Sequence, residues 1–584
     1  MLYNTAYINS NYFENNVKTT VKNNFYLGLI NIYNFVLERG DLLRKSYKAD
    51  LVIMNANVIT MNEKRERAEA FAVKDGKFIA VGTSSEIEEY IGKETKVLDL
   101  DGKTVVPGFI DAHIHPSMVA KERLKVDLGP TRVKSIEDVI RILKSVAQRT
   151  PPGQWILGTN YDDTKVKEKR MPTRWELDRA SKEHPIVISH VSLHLGSVNS
   201  KALEIAGITK DTPNPEGGEF ERDASGELTG VVKEAAFADY FTIGTAERPP
   251  VVPPLERTKL VVSLSEVLRN LASKGITSVG DGLILPEDIR AYQDLYQSGS
   301  LPIRVTMYIH GNYLDLLTRL MIRTGFGNEW LRIGGIKFFV DGAIAGRTAY
   351  LSQPYEGTKD YYGIVTITQE KLNELVLKAH KADLQIHTHA NGDRAIEMLL
   401  DAYEKALEEY PRENHRHTIV HCTVVTQEIL KRIKKLGCVV LPFTTYIYAH
   451  GEKMSAYGSR ISMMFAFRSF LDYGIPVGAG SDYPCGPFDP LLAIQTMVTR
   501  KSAQGEVLGP EQRISVEEAL WIYTMGGAYA LFEENIKGSI EVGKLADFVV
   551  LSEDPTKVPV NRIKDIKVEA TFVGGKMVYG KIKV

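Results

Sequence analysis

The chain has 584 residues, 43% of them hydrophobic and 25% charged, with a formal net charge of −1. This is the make-up of an ordinary globular protein large enough for more than one structural unit, and its near-neutral balance gives no sign of a nucleic-acid or membrane-surface partner. The three cysteines, Cys422, Cys438 and Cys485, are too few and too scattered for a disulfide framework or a thiolate zinc site, which favours a reducing, cytoplasmic setting.

Residues 1–48 are rich in Asn and Tyr, and only FYLGLINIYNFVLERG within them reads as helical. They are expected to form a loosely packed extension. Their start lacks the basic residues and small-residue cleavage site of a secretory signal. No apolar run of the chain reaches the roughly 18 residues needed to span a bilayer, so no membrane partner is expected.

From Ala49 the texture changes to short strands with turn punctuation. ADLVIMNANVITM, AFAVKDGKFIAVG with its Asp75–Gly76 turn signal, and KVLDLDGKTVVPG read as β-hairpins. The same texture returns in KLADFVVLSEDP and VEATFVGGKMVYGKIKV. Strand edges need partners, so the two ends, 49–107 and 537–584, are expected to build one small composite β-sandwich.

The intervening 108–536 alternates apolar strand-like runs with amphipathic helices, the pattern of a parallel sheet. The candidate strands are VVPGFIDAHIH, GITSVGDGL, PIRVTMYIHG, IGGIKFFVD, DLQIHTHA, HTIVHC, GCVVLPF and IPVGAGSD. Eight of them predict an α/β fold, a (β/α)8 TIM barrel. The stretch of about 120–265 is too long for a simple connection and reads as an inserted subdomain over the barrel mouth. SVEEALWIYTMGGAYALFEEN, with a Ser515/Glu518 capping box, returns the chain to the sandwich.

Five segments end these runs in residues that bind metals. His113 and His115 are two apart, so in a strand they share a face and can reach one ion; taken alone they could equally be surface histidines in a turn. Lys337 lies inside an apolar strand. It is either a snorkelling or ion-paired lysine, with Asp341 as partner, or a desolvated amine able to react with carbon dioxide to form a carbamate. His389 and His421 end consecutive strands, and His387 shares the face of His389 but lies farther from the strand end. Asp482 is either a turn residue or a ligand and proton acceptor.

Together these segments resemble the amidohydrolase superfamily, and more narrowly its amidohydrolase-3, YtcJ-like branch, from about Ala49 to the C-terminus. VVPGFIDAHIHP, HANGDRAI, AGSDYPCGPFDPLLAI, GSIEVGKLADFVVL, FFVDGAIAGRTAYLSQPY and SLHLGSVNSKALEIAGI carry the resemblance. It implies a barrel on a composite sandwich, with ligands at the ends of strands one, four, five, six and eight. His113 and His115 would hold the more buried metal, a carboxylated Lys337 would bridge, and His389 and His421 would hold the second. Asp482 would be ligand and general base. His194 would face the substrate as a catalytic residue, and Asp341 and Arg347 would lie in the substrate-binding loop after strand four. Two departures stand near this site: Leu441 where the branch has glutamine, and Asn391 where it has an apolar residue. They bear on substrate choice more than on metal binding.

The expected function is a metal-dependent amidohydrolase. It cleaves a non-peptide carbon–nitrogen bond in an amide, formamide or cyclic amide, using one or two divalent ions, with zinc favoured. A one-metal deaminase, an esterase or lactonase using the same site, and a non-catalytic metal-binding scaffold are the rival readings. A small-molecule substrate is the expected partner, and a homo-oligomer is left open.

Overall fold

The computed structural model describes residues 48–582, apart from 216 and 246–247. All but the last residue of the expected N-terminal extension lies outside the described residues. Asp75 and Gly76 have φ of 49° and 75°, the left-handed values of a tight hairpin turn. They join Ala70–Lys74 to Lys77–Gly82, and Leu51–Met54 and Lys96–Asp99 complete a four-stranded sheet. A second sheet has six strands, in the order Lys576–Gly580, Val568–Val573, Phe548–Leu551, Thr104–Pro107, Asn57–Ile59 and Arg67–Ala68. Its central pairing runs antiparallel from Phe548 opposite Pro107 to Leu551 opposite Thr104. One sheet is therefore built from both ends of the chain, as the strand texture predicts. Phe71, Phe78, Phe548 and Phe572 fill the space between the sheets, with the Phe548 and Phe572 rings stacked at 4.4 Å.

Seven parallel strands form the barrel in sequence order: β1 (Phe109–Ile114), β2 (Ile276–Ile284), β3 (Arg304–His310), β4 (Leu331–Phe339), β5 (Gln385–Ala390), β6 (Thr418–His421) and β7 (Val439–Leu441). They are buried along almost their whole length, as parallel strands wrapped by helices must be. The eighth predicted run, 475–482, is not a regular strand, yet its backbone closes the ring. Val440 N donates to Pro476 O and Gly478 N to Val440 O, while Ala112 N donates to Ala479 O and Asp482 N to His113 O, all at 2.9–3.0 Å. Glycine permits this close fit, since a Cβ on Gly478 would lie 2.7 Å from Leu441 Cδ2.

Between β1 and β2 the chain forms a separate six-stranded sheet, from Val126–Asp127 at one edge to Gly218–Arg222 at the other. This insertion touches the C-terminal side of the barrel: just after β3, Asn312 Nδ2 donates to Gly244 O at 2.8 Å and Tyr313 OH to Ile243 O at 3.3 Å. The Ser515/Glu518 capping box is present, with Glu518 N donating to Ser515 Oγ at 3.1 Å and Ser515 N to Glu518 Oε2 at 2.8 Å. At the opposite end of the barrel, Arg304, the first residue of β3, donates to both oxygens of Asp547 at 2.7 and 2.9 Å. This buried bidentate pair joins the barrel to the sandwich.

Candidate metal centre at the barrel mouth

The register of the parallel strands carries the five segments to one end of the barrel. Lys337 pairs with His387, Phe339 with His389, and Ala390 with His421. On β1 the period of two keeps His113 on the interior face, and His115 follows as the chain enters the helix Pro116–Glu122. Asp482 lies across from both: its Oδ1 is 3.3 Å from His113 Nε2 and 3.1 Å from His115 Nε2. The ligand atoms of these three residues all lie within 4.8 Å of one another.

His389 and His421 form the neighbouring group, with His421 Nε2 3.1 Å from His389 Nδ1. The His113 and His421 ring centroids are 5.4 Å apart, which links the two groups. His421 and Asp482 adopt left-handed backbone with φ of 69° and 54°, conformations that cost a non-glycine residue energy and cluster at functional sites. Gly282 on β2 makes room for the histidines: a Cβ there would sit 2.5 Å from His113 Cε1 and 3.0 Å from His115 Cε1.

The electrostatics suit cation binding. Burial, reinforced by neighbouring positive groups, holds His113, His387 and His389 well below the usual imidazole range and His421 at about 4, so all four are neutral with lone pairs to offer. Burial works against the charge of Asp482, but His421 and the bonds to His113 and His115 hold it well below the usual carboxylate range. Lys337 is 1% exposed and its Nζ has no hydrogen-bond partner. Burial lowers it to about 7, although the charge of Asp482 acts the other way. His115 Nδ1 is likewise buried and unpartnered.

The remaining predicted residues are placed differently. Asp341 is buried and accepts backbone N–H bonds from Tyr350, Asn391 and Gly392 at 2.8–2.9 Å. It braces the loops around His389, whose Nε2 lies 3.6 Å from Asp341 Oδ1, and all three of these bonds come from backbone. Arg347 is exposed, with φ of 55°. His194 is in the insertion, bonded through Nδ1 to Glu234 Oε2 at 2.9 Å. Asn391 bears directly on a candidate ligand, with its Nδ2 3.1 Å from His389 Nε2, whereas Leu441 packs in the barrel interior.

Residues outside the predicted set also build the site. Asp111 is buried, and burial raises it to about 7. Its Oδ1 accepts Ser481 N at 3.1 Å and His113 N at 3.3 Å, tying the first segment to the eighth. The sequence signals for these contributors were the Asp of FIDAHIH and the second Gly of GDG in β2. His387, passed over for His389, has its Nε2 2.9 Å from His113 Nδ1.

The model of the family described as the amidohydrolase family matches residues 96–579. The chain belongs to the amidohydrolase family. Among similar chains, N-substituted formamide deformylase of Arthrobacter pascens is 31% identical, over 91% of this chain and 98% of its own. YtcJ of Bacillus subtilis strain 168 is 30% identical over 90% and 98%. An uncharacterized metal-dependent hydrolase from Pyrococcus horikoshii has the same fold at a TM-score of 0.72 and 26% identity, covering 88% of this chain and 99% of that one. This amidohydrolase is thus an enzyme, a metal-dependent hydrolase. Its neutral histidines, its ionised Asp482 and the unpartnered polar atoms of His115 and Lys337 form a donor set that fits a divalent cation. Among the described residues no helix is long and apolar enough to cross a membrane.

Proposed function

We propose that this amidohydrolase cleaves a non-peptide carbon–nitrogen bond of an amide, formamide or cyclic amide. The observation that carries the reading is the shared position of Asp482 Oδ1 beside His113 Nε2 and His115 Nε2, a carboxylate held ionised next to the neutral His113 imidazole. The likeness to a formamide deformylase over nearly the whole chain supports the choice of bond.

His113, His115 and Asp482 would hold one divalent ion, with zinc suited to this mix of nitrogen and oxygen donors. His389 and His421 would hold a second, and Lys337, as a carbamate, would bridge. A bound ion supplies Lewis acidity that brings the pKa of water toward neutrality. Asp482 takes the proton of the attacking water and later delivers it to the leaving nitrogen, the work of a general base that becomes a general acid. His194 would meet the substrate from the insertion, and Arg347 from the loop after β4. Asp341 would act on substrate only through the loops it braces.

A one-metal reading rests on a specific observation: among the described residues at the barrel mouth, only His113, His115 and Asp482 bring three ligand atoms within 4.8 Å of one another. It would leave Lys337 a free amine and would suit a deaminase.

The test is turnover by metal-loaded protein on a panel of N-substituted formamides, amides and cyclic amides, with esters, lactones and amino-heterocycles alongside. Cleavage of the first group is expected. Preference for amino-heterocycles, with one ion per chain and an intact mass lacking the added 44 Da of CO₂ on Lys337, would replace this reading with the one-metal deaminase.

A further inference from the structure

Beneath the candidate ligands runs a chain of polar groups that reaches no solvent. His113 Nδ1 lies 2.9 Å from His387 Nε2, and His387 Nδ1 lies 2.9 Å from Thr418 Oγ1. The Thr418 hydroxyl can donate to Ile386 O at 3.4 Å. His113, His387 and Thr418 are each at most 1% exposed, so every link must be satisfied within the protein. Tyr308 fixes the ring in the middle, stacking on His387 at 4.0 Å with an interplanar angle of 21°. The Tyr308 hydroxyl is itself held by Gln385 Oε1 at 2.8 Å.

A neutral imidazole carries one N–H and one lone pair, so each link has only two possible directions. When His113 Nε2 donates to Asp482, His113 Nδ1 must accept from His387 Nε2, and His387 Nδ1 must accept from the Thr418 hydroxyl. For His113 Nε2 to offer its lone pair to a cation, each link reverses. His113 Nδ1–H then donates to His387 Nε2, His387 Nδ1–H donates to Thr418 Oγ1, and the hydroxyl hydrogen turns to Ile386 O. The two arrangements hold the same number of protons and differ only in which ring nitrogens carry them, and the one with His113 Nδ1 protonated is the one that frees the Nε2 lone pair. The Thr418 hydroxyl can end the chain in either arrangement, because it donates or accepts by rotating.

We propose that His387 and Thr418 form a hydrogen-bond relay that holds the His113 proton on Nδ1 and so presents its Nε2 lone pair to the ion. His387 is then a positioning residue and not a ligand. The inference rests on the metal-dependent reading of the site. The partner of a ligating histidine is usually a carboxylate, a backbone carbonyl or water, and its loss typically costs 10–100-fold in metal affinity. Here a second neutral imidazole takes that place.

The test measures zinc affinity by competition with a chromophoric chelator, together with thermal unfolding. His387→Phe keeps a ring against Tyr308 but removes the acceptor, and should lower zinc affinity by about 10–100-fold. His387→Gln keeps an amide that can accept or donate near the Nε2 position and should stay within about threefold of wild type. A second pair acts at the far end of the relay, where Thr418→Val should weaken zinc binding and Thr418→Ser should not. The Thr418 pair decides the matter if the Phe variant does not fold. Equal losses in His387→Phe and His387→Gln, or Thr418→Val binding as tightly as wild type, would overturn the relay while leaving the metal site intact. A wild-type protein with no affinity for zinc or another divalent ion would instead overturn the metal reading, and the relay with it.

Discussion

Asp482 Oδ1 is shared between two imidazoles of the first barrel segment, 3.1 Å from His115 Nε2 and 3.3 Å from His113 Nε2. The eighth segment earns this contact through the backbone, since Asp482 N donates to His113 O at 3.0 Å. The carboxylate and the His-x-His pair are thus one mechanical unit.

Asp482→Asn should keep the unit's shape and most of its bound metal while removing the proton acceptor. Turnover is expected to fall by about a thousandfold, within the range of a lost general base. Elemental analysis of the variant beside its kcat checks this; a variant with near wild-type kcat would remove Asp482 from the chemistry.

Gly282→Ala places a methyl group 2.5 Å from His113 Cε1 and 2.7 Å from His113 Nδ1. Overpacking of this kind costs about 1–3 kcal/mol and moves side chains. The expected outcome is at least a tenfold loss of metal affinity with far-UV circular dichroism unchanged, read by chelator competition.

Asp547→Ala strips the Arg304 guanidinium, 2% exposed in the intact protein, of both its carboxylate bonds. Breaking one side of a buried ion pair costs about 3–5 kcal/mol. Urea unfolding should show a loss of that size, and replacing both residues with apolar side chains should recover part of it.

Asp554 stitches the sandwich, accepting from Asn57 Nδ2 at 2.9 Å, Arg67 Nη1 at 2.8 Å and Thr556 Oγ1 at 2.6 Å. Burial works against its charge, but these bonds bring it down to about 2. Because the folded value lies below the unfolded one, the stabilisation is complete above about pH 4 and fades as pH falls toward 2. After allowance for solvent screening it amounts to about 1 kcal/mol. Asp554→Asn should flatten the acid limb of stability against pH in that window; an unchanged limb would count against the stitch.

The site was legible where a strand's own periodicity decides the matter. His113, Lys337 and His389 all follow from interior faces of buried parallel strands, and the register then does the gathering. What was not legible depends on partners brought from elsewhere in the fold. Asp341 reads as a loop carboxylate free for substrate, but its bonds come from backbone at 350, 391 and 392. His194 finds Glu234 only because Leu195 pairs with Lys233 in the insertion sheet. His387 and His389 differ by one period of the strand, and sequence alone favoured the one nearer the end, which left the relay beneath unread. The last barrel segment reads as a strand from VGAGSD, yet its glycines let it close the ring through scattered bonds in place of a regular ladder.

The pairing of Thr104–Pro107 with Phe548–Leu551 also sets an order of events during synthesis. The first strand leaves the ribosome long before its partner exists, and at about 5–20 residues per second the wait is on the order of 20 to 90 seconds. All four of its residues are buried in the finished protein, so in the nascent chain they form an apolar edge open to any neighbouring chain. A ribosome that stops short of the final strands releases a barrel whose Arg304 has no Asp547 to meet. The barrel's buried guanidinium thus meets its partner only after residue 547 has been made.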